Sequence, residues 1–186
     1  MNTPPLKNTT KSYGMVAIAL HWLAAVWIIS LFVLGLYMVD LGYYDDLYKT
    51  GPYWHKAMGV LLALVMIGRF IWRGINPKPE IAGSAPVKKA AEVVHTLLYV
   101  WVGAVITSGY LISTADGRAI DVFGWFEIPA TLTSIVNQED IAGVIHLYLA
   151  VGLISMAGLH ALAAIKHQFF DRDGTLVKML KVTRNV

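Results

Sequence analysis

Four apolar runs, each about as long as the hydrocarbon core of a bilayer is thick, constrain this chain more than any other feature. They lie at about residues 16–39, 54–75, 90–112 and 141–165. Lipid offers no partners to backbone N–H and C=O groups, so runs of this length are read as helices, which satisfy those groups internally. Hydrophobic residues fill 56% of the 186 positions and charged residues 15%, which leaves no room for a separate soluble domain. The expected fold is all-α, an integral membrane four-helix bundle forming a single domain over residues 1–186. The first run is too long for a signal-peptide core and has no small-residue cleavage site, so it is expected to stay in the mature protein.

Basic residues set the orientation. Four spans put both chain ends on one side. That side would hold Lys7, Lys11, Arg69, Arg73, Lys78, Lys88, Lys89, Lys166, Arg172, Lys178, Lys181 and Arg184, against Lys49, Lys56 and Arg118 opposite. The positive-inside rule then places both termini in the cytoplasm. Asp40, Asp45, Asp46, Asp116, Asp121, Glu127, Glu139 and Asp140 fall on the outer side, so the net charge of +3 averages a basic face and an acidic one. The basic residues lie where a membrane protein needs them, and nucleic-acid binding is not called for. The chain has no cysteine, which excludes disulfides, thiolate-bound metal, iron–sulfur clusters and covalently attached c-type haem.

Histidines inside such spans are costly unless they have a partner, and so they mark sites. His146 and His160 share the last run. A 14-residue spacing separates them by about 21 Å along a helix and leaves them within about 40° of one face. One helix therefore offers two stacked ligands. His55, at the outer edge of the second run, matches the depth of His146; His21, in the first run, and His95, in the third, match His160. If His55 and His146 are both ligands they pair with each other, whereas the inner pair has to be chosen. Two bis-histidine haem sites fit this layout better than structural zinc, which needs four ligands at one point. Such haems would be non-covalent. With both axial positions filled, the iron has no open site for oxygen, and one-electron transfer is the chemistry that remains.

These residues resemble the prokaryotic cytochrome b561 family of di-haem membrane proteins. The resemblance rests on Ala17-Ile-Ala-Leu-His-Trp22, Trp54-His-Lys-Ala-Met-Gly59, Gly68-Arg-Phe-Ile-Trp-Arg73, Val122-Phe-Gly-Trp-Phe126 and Asp171-Arg-Asp-Gly-Thr175 with Met179-Leu180, and covers nearly the whole chain. It implies two haems b, with His21 paired to His160 and His55 paired to His146. It also implies the bacterial inner membrane as location and ubiquinone as electron partner, and the oxidation of superoxide is among the family's activities. The function expected is the movement of single electrons between an outer-side donor and ubiquinone. The alternative is a membrane-anchor relay for a hydrogenase- or dehydrogenase-like protein redox partner, although the short loops offer little docking surface.

Further residues carry expected roles. Arg69 follows His55 by 14 residues and is expected at the inner haem propionates. Gly59 and Gly143, each one turn or less from a ligand, are expected to let the cofactor approach closely. His167, seven residues past His160, is the candidate to bond a quinone carbonyl and exchange protons, with His95 facing it and Lys166 and Ser12 as lesser contributors. The loop 113–140 is expected to act as an apolar lid over the outer haem. The third run supplies no ligand and serves to close the bundle.

Overall fold

A computed structural model of the chain describes residues 5–182; Arg184, counted above among the basic residues, lies outside them. In chain order the elements are α1 (Met15–Val39), α2 (Thr50–Ile75), α3 (Ala85–Ser113), strands β1 (Ile120–Val122) and β2 (Phe126–Ile128), α4 (Gln138–Phe169) and the short α5 (Thr175–Leu180). Helices α1 to α4 are long and apolar enough to cross a membrane, with mean hydropathy reaching 2.3 in α1. The protein is thus a mostly helical, multi-pass membrane protein, in keeping with a helical bundle. Val26, Ile29, Val33, Ile67, Phe70, Leu159 and Leu162 are each more than half exposed. In water such surfaces would associate, whereas lipid is their natural solvent.

The helices outrun the apolar blocks. Helix α3 starts at Ala85 rather than near residue 90, and α4 extends past its run at both ends. Caps and charges set these ends, and hydropathy reports only the lipid-embedded part. Pro86 sits in the first turn of α3, where no N–H is needed, and the Ser84 carbonyl accepts from Lys88 N at 3.0 Å. In α4 the Asn137 carbonyl accepts from Ile141 N at 3.0 Å. Glu139 and Asp140 lie in its first turn and Lys166 and His167 in its last, each sign at the favourable end of the helix dipole.

The loop between α3 and α4 folds as an antiparallel hairpin with Ile120 opposite Ile128 and Val122 opposite Phe126. Its turn needs two consecutive left-handed residues, Phe123 (φ 54°) and Gly124 (φ 70°), closed by Trp125 N donating to Val122 O at 2.9 Å. Glycine adopts this conformation freely, but in a bulky residue it costs about 1–2 kcal/mol. The Phe123 ring offsets that cost by packing at 5.0 Å from Trp54 and 5.7 Å from Tyr53, centroid to centroid. Tyr53 Oη donates to Asp121 Oδ2 at 2.8 Å, and Val122 is fully buried. The hairpin is thereby fastened to the start of α2, next to His55.

The chain divides into two compact units. The end unit takes in the chain up to Ala25, Val65–Leu98 and the chain from Ser155; the hairpin unit takes in Val26–Leu64 and Tyr99–Ile154. In the end unit, Asn8 Nδ2 donates to Pro77 O at 3.1 Å, Glu80 N to Thr10 O at 2.9 Å and Trp22 Nε1 to Met179 O at 2.7 Å. These bonds tie segments distant in sequence around the ends of α1 and α2.

Candidate functional site

In the hairpin unit, α2 and α4 bring His55 and His146 together, with ring centroids 6.2 Å apart and ring planes at 79°. Two imidazoles on opposite sides of one metal, with metal–nitrogen bonds of about 2 Å, would have their centroids about 6.4 Å apart. The pair therefore fits a shared iron. His146 Nδ1 lies 3.0 Å from Val105 O and 3.0 Å from Ser108 Oγ. A carbonyl only accepts, so these partners assign the proton to Nδ1 and leave the Nε2 lone pair free to ligate. The Nδ1 of His55 is buried without a hydrogen-bond partner.

Glycines seat both rings. A Cβ on Gly35 would lie 3.2 Å from Cε1 of His55, and one on Gly109 would lie 3.1 Å from Cε1 of His146. Gly59 and Gly143, singled out from the sequence, touch neither ring; a Cβ on either would enter open space. Spacing along one helix identified those two, whereas the glycines in contact come from neighbouring helices.

In the end unit, His21, Arg69, His95 and His160 lie within electrostatic range of one another. Arg69 Nη2 is 2.7 Å from His21 Nδ1, and the rings of His95 and His160 are 5.2 Å apart at 72°. The second distance is well short of the separation that two ligands of one metal require. The ring of His95, which the sequence reading set opposite His167, is in contact with that of His160. His167 Nδ1 lies 2.8 Å from Asp171 Oδ2 and 3.3 Å from Asp173 Oδ2, near enough for attraction but without hydrogen-bond geometry. Lys166 Nζ pairs with Asp171 at 2.7 Å. Burial opposes ionisation of Asp173, but bonds from Thr175 and the nearby His167 and Lys178 outweigh it and hold the carboxyl below its usual range. Ser12 is buried in the N-terminal loop, its Oγ 3.1 Å from Thr9 Oγ1.

Val105 and Ser108 on α3, together with the Tyr53–Asp121 latch, are contributors to which the sequence did not point. A helix that carries no ligand gave no reason to look for the acceptors of a ligand's second nitrogen. The only available sign was the small-residue sequence Thr107-Ser-Gly109 inside an apolar run. Among the described residues no three His, Cys, Asp or Glu side chains converge on one point; haem held by an imidazole pair requires no such cluster.

The family model described as prokaryotic cytochrome b561 matches residues 12–181. "Cytochrome b561 homolog 2" of Escherichia coli (strain K12) is 44% identical over 175 residues, which is 93% of either chain. "Probable superoxide oxidase CybB" of Yersinia pestis is 27% identical over 180 residues, 94% of this chain and 98% of that one. "Cytochrome b561 homolog 1" of Escherichia coli (strain K12) is 24% identical over 128 residues, 68% of this chain and 72% of that one.

Proposed function

The chain belongs to the prokaryotic cytochrome b561 family, a family of membrane electron carriers with b-type haem, and from that premise we propose that it holds two haems b and passes single electrons between an outer-side donor and ubiquinone. The observation that carries this reading is the His55–His146 pair, spaced for a shared iron and with the His146 tautomer set by Val105. When bound, haem b would supply a one-electron couple.

His55 and His146 would hold one haem. His21 and His160 would hold the other, a pairing supported by their proximity and by the short His95–His160 distance, which suits contact between rings rather than a shared ligand. Arg69 is a permanent donor, so in its present bond His21 Nδ1 accepts and the proton sits on Nε2. Ligation through Nε2 requires Arg69 to release that nitrogen, and a propionate is the natural acceptor for the freed guanidinium. The open space beside Gly59 and Gly143 would let a flat ring lie against α2 and α4.

His167 would bond a quinone carbonyl, with His95 as the second candidate. His167 Nδ1 lies against Asp171 and Asp173, and an N–H at Nε2 would donate to that carbonyl. The reading places both termini in the cytoplasm of a cell whose inner membrane holds the protein as one domain. Superoxide is the donor suggested by the name of one relative. In this chain Arg118 is paired with Asp116, which weakens any anion-attracting field on the outer side.

The test is a haem-to-protein ratio on the purified chain, followed by anaerobic mixing of the reduced protein with a ubiquinone analogue. Two haems and rapid reoxidation are expected. A colourless protein would overturn the reading, and co-isolation with a metalloprotein, with no quinone reactivity of the chain alone, would favour a relay subunit.

A further inference from the structure

Within the hairpin unit, α3, α4 and the segment leading into α4 enclose a groove of about 380 Å³, in the size range of small-molecule sites. Its walls are mostly apolar, with Ala104, Leu111, Ile145 and Leu149 among them, and its polar side chains are Thr107, Ser108 and Gln138.

Those three groups share one property. Thr107 Oγ1 donates to Gly103 O at 2.9 Å and Ser108 Oγ to Val105 O at 2.9 Å. Gln138 Nε2 donates both its hydrogens, to Leu111 O at 2.9 Å and to Leu132 O at 3.0 Å, which also fixes which end of the amide is oxygen. The donors of these three side chains are all consumed inside the protein, so what the side chains have left to offer is acceptors. One of them is in deficit: Gln138 is 5% exposed and its Oε1 is buried with no partner. Burying a carbonyl without a partner is destabilising, and a donating ligand would supply the missing hydrogen bond.

We propose that this groove is a binding site for the reduced, hydroxyl-bearing form of a membrane quinone. An apolar body fits the walls, and a phenolic O–H can donate to Gln138 Oε1, which an oxidised quinone, carrying only acceptors, cannot do. The choice of a quinol over other hydroxylated amphiphiles rests on the electron-transfer reading above, and Ser108 connects the groove to it through its contact with His146. The unpaired acceptor in the groove does not depend on that reading.

The experiment is anaerobic photolabelling of the haem-loaded protein in phosphatidylcholine nanodiscs with a short-chain azido-quinol, followed by peptide mapping. Labelling is expected within residues 132–149, at least tenfold stronger than with the oxidised analogue. It should fall about tenfold in Ala104→Phe, which fills the groove without removing a hydrogen bond, and in Gln138→Leu. Retained haem will show that the Ala104→Phe protein is folded, should Gln138→Leu not be. His167→Ala should leave this labelling unchanged, which separates the groove from the proposed quinone site in the end unit. Equal labelling by both redox forms, no effect of Ala104→Phe, or loss of labelling in His167→Ala would each overturn the proposal. Displacement of the label in phosphatidylglycerol nanodiscs would overturn it in favour of a lipid headgroup.

Discussion

Arg69 Nη2 lies 2.7 Å from Nδ1 of His21, so the side chain proposed to meet a haem propionate holds the nitrogen of a proposed ligand. A guanidinium cannot accept, and the contact selects the tautomer with the proton on Nε2. One arginine thus links charge at the site to the protonation of the ligand.

Removing that cation should disfavour the reduced state, which carries one positive charge fewer at the iron. Arg69→Leu is expected to lower one of two midpoint potentials by about 60 mV, a tenfold change in a one-electron equilibrium. Arg69→Lys should recover part of the shift. Potentiometric titration of the visible spectrum measures both; unchanged potentials would remove Arg69 from the cofactor's surroundings.

Replacing His55 or His146 with Ala should reduce the haem content from two per chain to one, as read by pyridine haemochrome against protein concentration. A wild-type ratio of one would end the two-haem reading.

Gly109→Ala places a methyl 3.1 Å from Cε1 of His146, so the ring must shift by a few tenths of an ångström. Its Nδ1 bonds to Val105 and Ser108 would then lengthen. Loss of such support typically costs 10–100-fold in affinity for the bound metal group, and about tenfold easier loss of one haem is expected, read by transfer to an acceptor apoprotein. Equal retention by wild type and variant would show that the ring position is uncritical.

His167→Ala should keep both haems and slow reoxidation by a quinone analogue about tenfold or more in stopped flow, as expected for loss of a proton-competent group. An unchanged rate would move the quinone site towards His95.

Asp173 titrates below the usual carboxylate range in the folded protein. A depressed folded value means that its stabilising contribution is complete above the unfolded value near 3.9 and is lost as pH falls through the folded value. Asp173→Asn should therefore lower the melting temperature at pH 7 and have no effect once pH falls below the folded value. An equal loss at both would mean that the ionised carboxylate is not what stabilises the turn.

Reporter fusions after Val186 and within residues 113–140 should report opposite sides of the membrane. Cytoplasmic accessibility of the hairpin would invert the proposed topology.

Much of this protein was determined by its sequence alone, because lipid allows few solutions. Runs of about 20 apolar residues must be helices, and residue spacing along a helix converts directly into height and angle, so His146 and His160 were legible as two positions on one helix. The family was legible too, from motifs around His21, His55 and Arg69. The relationships between helices were not, because spacing along one chain segment carries no information about which neighbour packs on which face. Only the tertiary structure set Gly35 against His55 and Gly109 against His146, put Val105 and Ser108 behind His146, and brought the ring of His95 to His160. The hairpin escaped sequence reading for the same reason. Phe123 occupies a conformation that its own residue type disfavours, and what holds it there is a pair of aromatic rings about 70 residues earlier in the chain.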